Sequence, residues 1–286
     1  MADNTKKLML KAQINEITEY HIYRKLAETS KDSNKKVLNK IAEDELRHYN
    51  FWKTYTKKEA SPKKITIWFY YIISRLLGLT FGLKLMERGE ELAQKAYNEL
   101  SKTILKVREI EKEEKEHENN LINMINEEKI KYVGSIVLGL NDALVELTGA
   151  IAGFTFAFQN TKIVGAAALV TGIAASFSMS ASEYLSTKTE DKESPVKASI
   201  YTGIAYIIAV IALVIPYFLL KNYYFALGFT LINAIIIIFL FTFYISVAKE
   251  VSFKKRFFEM AVLSFGVAAL TFIIGLIIRV FLQIDI

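Results

Sequence analysis

The sequence contains no cysteine, which excludes disulfide staples and thiolate metal sites. Carboxylate, imidazole and thioether remain as the side chains able to hold a metal ion. Histidine is scarce too: His21, His48 and His117 are the only three, and all precede residue 132. Proline occurs three times, and Pro62 alone lies in that first stretch, where glycine is also rare, so long uninterrupted helices are permitted. Acidic residues run short further on, since 21 of the 30 lie before residue 132. The net charge of +6 forms no basic stripe with interleaved aromatics, so no nucleic-acid partner is expected. The opening MADNTKKLMLKAQ has no apolar core followed by a small-residue cleavage site, and the first part of the chain is expected to stay in the cytoplasm.

What is abundant is apolar sequence in long runs. Five candidate spans, about 132–158, 163–187, 198–220, 223–247 and 257–282, each exceed the ~20 residues a helix needs to cross hydrocarbon. Five spans put the termini on opposite sides. Lys188, Lys192, Lys197, Lys249, Lys254, Lys255 and Arg256 fall on the side of the N-terminus, against Lys162, Lys221 and Arg279 on the other. That asymmetry predicts a cytoplasmic N-terminus in a multi-pass protein of the cell membrane. Two domains follow, residues 1–130 in water and 131–286 in lipid.

Within 1–130 the apolar residues recur at three- and four-residue spacing, predicting helices near 5–29, 34–58, 84–103 and 105–128. Between the second and third lies IWFYYIISRLLGLTFGL, broken by Arg75. Two readings stay open for residues 65–83: a crossover packed on the bundle or on a partner subunit, or a helix resting on the membrane surface with Trp68, Tyr70 and Tyr71 at the interface.

A carboxylate-bridged di-iron centre in a four-helix bundle takes single Glu residues from two helices and Glu-x-x-His from the other two. Glu45-Leu46-Arg47-His48 and Glu114-Lys115-Glu116-His117 supply both pairs, each on one helix face at i,i+3. The first helix offers Glu16 and Glu19, and the third Glu87, Glu90 and Glu91. His21 fits neither pair and reads as a surface or packing residue.

Residues 12–58 and 84–120 resemble the rubrerythrin branch of the ferritin-like family. Glu16, Tyr23 and Ala27 fit that branch's first-helix frame, whereas Glu19 does not; Glu87-Arg88-Gly89-Glu90 matches its third-helix Glu-x-x-Glu. The resemblance implies an all-α, ferritin-like four-helix bundle with iron ligands Glu16, Glu45, His48, Glu90, Glu114 and His117, and Glu87 as an additional or exchangeable ligand. The rubredoxin-like cysteine module of full-length rubrerythrin is missing.

In the apolar half, ionisable side chains cost roughly 2.5–3.5 kcal/mol each within a span and therefore mark internal paths. Asp142 and Glu146 are i,i+4 neighbours on the first span, and Met179 and Glu183 are related identically on the second. A thioether among carboxylates favours softer divalent ions such as Fe²⁺ over Mg²⁺ or Ca²⁺. GLNDALVELTGAIAGF and SMSASEYLS resemble the first and second spans of the vacuolar iron transporter family. That resemblance implies a five-helix membrane domain, Asp142 and Met179 as transport ligands, Glu183 as a mouth carboxylate, and a homodimer. The glutamate-rich helical domain that plant and protist members carry between spans two and three is replaced here by TKTEDKESPVK.

The expectation is export of Fe²⁺ or Mn²⁺ from the cytoplasm by proton antiport, with a di-iron domain that captures, senses or oxidises the metal. Ferroxidase activity, a reservoir and a gate are alternatives for that domain. A membrane-anchored di-iron oxidase acting on a lipid-soluble substrate is the competing reading, and it gives Asp142 and Glu146 no role.

Overall fold

The computed structural model describes residues 2–100, 107–124, 132–190 and 194–282; the side chains of residues 2–4, 32, 33, 90–100, 108, 111, 118–124 and 282 fall outside that description. Ten helices and no strand make up the described residues. The chain divides into two compact units, Met1–Glu127 and Glu128–Ile286.

The first unit comprises α1 (Ala2–Glu28), α2 (Asp32–Thr56), α3 (Lys64–Leu77), α4 (Leu79–Leu100) and α5 (Val107–Met124). Thr29 and Ser30 donate their hydroxyls back to the Leu26 carbonyl, closing α1 and letting α2 run back along it. One apolar layer joins Ile22, Tyr23, Leu26 and Ala27 of α1 to Leu38, Ile41 and Ala42 of α2 and to Leu83 and Met86 of α4. A smaller layer joins Ala12, Trp52 and Val107. Between them, one to two turns from each, α1 carries Glu16 and Glu19 and α2 carries Glu45 and His48. A polar site is therefore clamped by apolar packing on both sides.

α2 ends at Lys57, whose φ of 56° is left-handed. The following segment is tied to α1, with Gln13 donating to the Lys58 carbonyl (2.9 Å) and the Lys63 amide donating to Thr18 (3.1 Å). The apolar stretch, for which a crossover and a membrane-surface helix were both open, is two helical pieces. Gly78 has φ 109° and ψ 150°, a region that costs side-chain-bearing residues dearly, and it breaks α3 from α4. The third bundle helix thus begins at Leu79, not 84. α4 folds back so closely that a Cβ on Gly82 would lie 1.8 Å from the Ser74 hydroxyl.

The second unit comprises α6 (Val133–Phe158), α7 (Thr161–Thr189), α8 (Pro195–Leu219), α9 (Tyr223–Ala248) and α10 (Phe253–Leu282), all long and apolar enough to cross a membrane. α6 is central and packs on the other four, with Ala143, Leu144, Leu147 and Ile151 in a core shared with Tyr206, Leu213 and Tyr217 of α8. Small residues set the approach: a Cβ on Gly139 would lie 2.4 Å from the Thr202 carbonyl oxygen. The helices overrun the apolar runs at Thr161, Pro195 and Phe253, because polar residues such as Lys162 and Lys254 extend a helix into the interface without adding hydropathy. The tight α6–α7 and α8–α9 turns use one device. Asn160 accepts from the amides of Lys162 and Ile163, and Asn222 from those of Tyr224 and Phe225.

Pro216 sits inside α8 and cannot donate to the carbonyl of Ala212 one turn earlier. Asn233 of α9 donates its side-chain amide to that carbonyl at 2.8 Å, and Thr230 donates to the next, Leu213, at 2.8 Å. In hydrocarbon such replacement is what allows the proline.

Candidate metal centre and membrane carboxylates

Glu16 and Glu45, His48 and Glu114 bring one ligand atom each to within 4.8 Å of one another. The first three are buried and Glu114 is half-buried. His48 Nδ1 lies 2.9 Å from Glu114 Oε1, 3.6 Å from Glu16 Oε2 and 3.7 Å from Glu45 Oε2. The other oxygen of Glu45 faces His117, Oε1 being 3.6 Å from its Nδ1. Glu45 therefore stands between two imidazoles whose planes are 27° apart with centroids 6.1 Å apart. Glu45 Oε2, His48 Nδ1 and His117 Nδ1 are buried with no hydrogen-bond partner. Buried polar atoms are rarely left so, and three aimed into one space fit a divalent cation or a pair of them.

The far nitrogens of both rings are held. Glu113 Oε2 is 2.8 Å from His48 Nε2, and Asp44 Oδ2 is 2.8 Å from His117 Nε2. Ionised carboxylates only accept, so the Nε2 atoms carry protons, and each Nδ1 can turn a lone pair toward a metal ion once it is itself deprotonated. Arg47 links the two carboxylates, Nη1 lying 2.6 Å from Asp44 and Nη2 2.7 Å from Glu113. The Trp52 indole donates to Glu16 Oε1 at 3.0 Å, which fixes the other oxygen inward.

Without a cation this cluster concentrates negative charge out of water. Burial first, then the charge of Glu114, pushes the Glu45 carboxyl well above its usual range; burial raises Glu114 likewise, against the nearby His48 ring. Burial opposes the charged form of His48, but the surrounding carboxylates of Glu114, Glu16 and Glu45 outweigh it and raise its pKa strongly. Asp44 and Glu113 are lowered: burial acts against them, and the hydrogen bonds from His117 and Arg47, and from His48 and Arg47, prevail.

The sequence reading missed Glu113, Asp44 and Trp52, and it set Glu19 aside. Burial and the charges of Glu45, Glu16 and Glu114 raise the Glu19 carboxyl well above its usual range, which places it at the edge of the same cluster. Glu19 also lines a cleft of about 260 Å³ with Lys11, Asn15, Lys63, Tyr70 and Met86. The signal for the outer carboxylates was present as an acid preceding each Glu-x-x-His, Asp44 before Glu45 and Glu113 before Glu114. Glu87 is half-buried on α4 and is not one of the four clustered residues; the side chain of Glu90 lies outside the described residues. His21 is exposed, its ring edge-on to Tyr20 at 5.0 Å.

In the second unit, the Ser135 hydroxyl donates to Glu183 Oε1 at 2.5 Å, joining the first turn of α6 to α7. Thr202 of α8 donates to the Ser135 carbonyl at 3.0 Å. Further along α6, Asn141 Oδ1 is buried without a partner, Asp142 is half-buried, and Glu146 accepts from the Tyr206 hydroxyl at 3.0 Å. Met179 packs at the edge of the core one turn from Glu183. At 1.5 Å per residue Asp142 lies about 10 Å, and Glu146 about 16 Å, beyond the level of Ser135. Glu146 is on the outer surface of the single chain.

A family model described as VIT family matches residues 133–193, covering α6, α7 and the segment after them with all four of these side chains. No curated protein and no solved structure matches the chain. Five apolar helices together with that match make this a membrane-embedded protein.

Proposed function

We propose that the protein exports Fe²⁺, or Mn²⁺, from the cytoplasm in exchange for protons, and that its first unit is a cytoplasmic ferritin-like domain with a di-iron centre that captures, senses or oxidises the metal. The observation that carries the reading is the line of Glu183, Met179, Asp142 and Glu146 along two helices that the VIT family model covers. Protons and a divalent cation compete for the same carboxylate oxygens, so releasing one to the far side and taking up the other is a natural exchange. Ser135 and Tyr206 hold Glu183 and Glu146 by hydrogen bonds that a cation can displace. Met179 adds a thioether that disfavours Mg²⁺ and Ca²⁺.

Glu146 supports a homodimer. A carboxylate on the outside of a lone chain would face lipid at a cost of roughly 2.5–3.5 kcal/mol, and a second copy across that face turns the exposed wall into an internal path.

In the first unit Glu16, Glu45, His48, Glu114 and His117 would hold the two metal ions, with Glu87, Glu90 and Glu19 as further carboxylates. Bound there, iron supplies redox chemistry with oxygen. The chain's own part is to keep both imidazoles in one tautomer through Asp44 and Glu113, and to seal the site between two apolar layers.

The test is Fe²⁺ flux into proteoliposomes, comparing the full chain, the Glu45→Ala/His48→Ala variant and residues 130–286 alone. Flux that persists in the last two but loses its response to metal load supports the reading. Absence of flux from every form, with iron-dependent oxidation of a quinol instead, would overturn it in favour of the anchored oxidase.

A further inference from the structure

Among the described residues of the first unit, seven large apolar side chains are exposed, and six belong to α3: Ile65, Trp68, Phe69, Ile72, Leu76 and Leu77. Tyr55 is the seventh. At about 100° per residue, Ile65, Trp68, Phe69, Ile72 and Leu76 fall within one arc roughly 100° wide. The opposite arc is already occupied, for Ile67, Tyr70 and Tyr71 pack on the core and Ser74 is buried. A helix with its protein partner on one face and an unbroken apolar stripe on the other is built to meet a second apolar phase.

Charge identifies that phase. From Lys57 to Lys84 there are six cations and one carboxylate, Glu59, which is itself paired with Lys53. Lys63, Lys64 and Arg75 are exposed, and on the helical wheel Lys64 and Arg75 flank the same edge of the stripe as Trp68. The ammonium of Lys25 lies 3.5 Å over the Trp68 ring, adding a third cation at that edge. Two copies meeting through this face would bring like charges together, whereas anionic lipid headgroups neutralise them. The same chain enters hydrocarbon at Val133, so the first unit is tethered to a bilayer and meets lipid at high effective concentration.

We propose that α3 lies in the surface of the bilayer, with Ile65, Trp68, Phe69, Ile72 and Leu76 among the acyl chains and Lys64, Arg75 and Lys25 at anionic headgroups. This rests on the membrane embedding of the second unit and not on what that unit transports. It fixes which face of the di-iron unit is against lipid and leaves the opposite face to water.

The chain offers its own probe. Trp52 and Trp68 are its two tryptophans; Trp52 is fully buried, Trp68 is about half exposed, and neither lies in a span. The full chain is placed in bilayers with and without acyl-brominated lipid, at varied anionic lipid content, and tryptophan emission is read. Quenching that rises with anionic lipid, disappears in Trp68→Phe and falls in Ile72→Glu is the expected result, with metal binding to the first unit unchanged as the control for folding. Three results would overturn the proposal. Quenching equal in Trp68→Phe and the parent chain assigns it to Trp52. Absent quenching with a blue shift that follows the protein-to-lipid ratio assigns the face to a second copy. Absent quenching with Trp68 open to a water-soluble quencher leaves the face in solvent.

Discussion

His48 Nε2 and Glu113 Oε2 lie 2.8 Å apart, on the side of the ring away from the cluster. Glu113 is a neighbour in sequence of Glu114, which approaches the other nitrogen of the same ring at 2.9 Å. Consecutive acids on α5 thus grip one imidazole of α2 from both sides. Glu113→Gln keeps the shape but lets the amide offer N–H where an acceptor is needed. Metal affinity should fall about 10- to 100-fold, the usual effect of losing an outer carboxylate. Asp44→Asn should act similarly through His117. Titration of the metal-free protein with Co²⁺, followed by its visible absorption, measures both.

Glu45→Ala with His48→Ala removes the residue between the two imidazoles and one of the rings. Stoichiometric iron should be lost from the first unit, together with the stabilisation that metal confers. Iron content of the purified chain and Tm with and without Mn²⁺ give the answer; unchanged values would place the metal elsewhere.

The metal-free protein should lose stability as pH rises from about 4.5 towards neutrality. Glu19, Glu45 and Glu114 have folded pKa values above the ordinary carboxyl value of 4.5, so in that window the folded state holds more protons than the unfolded one, and stability declines with pH. His48, also raised, adds stability that is fully present below 6.5 and is lost as pH climbs through its folded value. Asp44 and Glu113, lowered, contribute stability above their unfolded values of 3.8 and 4.5 that is lost as pH falls through their folded ones. Metal-free Tm should therefore be highest near pH 4.5 for this unit. Bound metal requires deprotonated ligands and should reverse the upper slope. Thermal melts across pH, followed by the signal of buried Trp52, test both signs.

These three predictions differ in how far the sequence alone supported them. Glu45, His48, Glu114 and His117 could be singled out because i,i+3 spacing on a helix fixes a shared face regardless of tertiary detail. Gly78 could not be read as a break, since a glycine within an apolar helical pattern is tolerated as often as it interrupts. Glu19 was set aside on the resemblance's frame, which carries positions but not the electrostatics that place it beside Glu16. In the second unit hydropathy located all five spans, while their polar ends and the partners of Glu183 and Glu146 depended on which helices touch. Tyr206 sits in an apolar run whose sequence gives no hint that its hydroxyl meets a carboxylate.

Asp142→Asn or Met179→Ala should abolish metal flux while leaving iron in the first unit intact, because these residues lie in the other compact unit. Proteoliposome flux and iron content of the same preparation are the paired readouts. Loss of both together would tie the sites to one another.

Glu146→Gln keeps the hydrogen bond with Tyr206 within reach but removes the titration. Metal uptake into inside-out vesicles should weaken and lose most of its dependence on an imposed proton gradient. An internal pH dye, read alongside iron uptake, should show proton counterflow in the parent chain and little in the variant.

Pro216 gives α8 a joint, and α9 holds the pin. Because the Ala212 carbonyl is bonded by Asn233 and not by its own helix, the C-terminal end of α8 carries its proline without baring that backbone oxygen to hydrocarbon. Tyr217, the next residue, is hydrogen-bonded to Thr155 of α6 at 2.5 Å, which ties this end of α8 to the helix that carries Asp142 and Glu146. That end and the carboxylates are thus parts of one linkage, and Asn233→Leu should unseat it while touching no metal-facing residue.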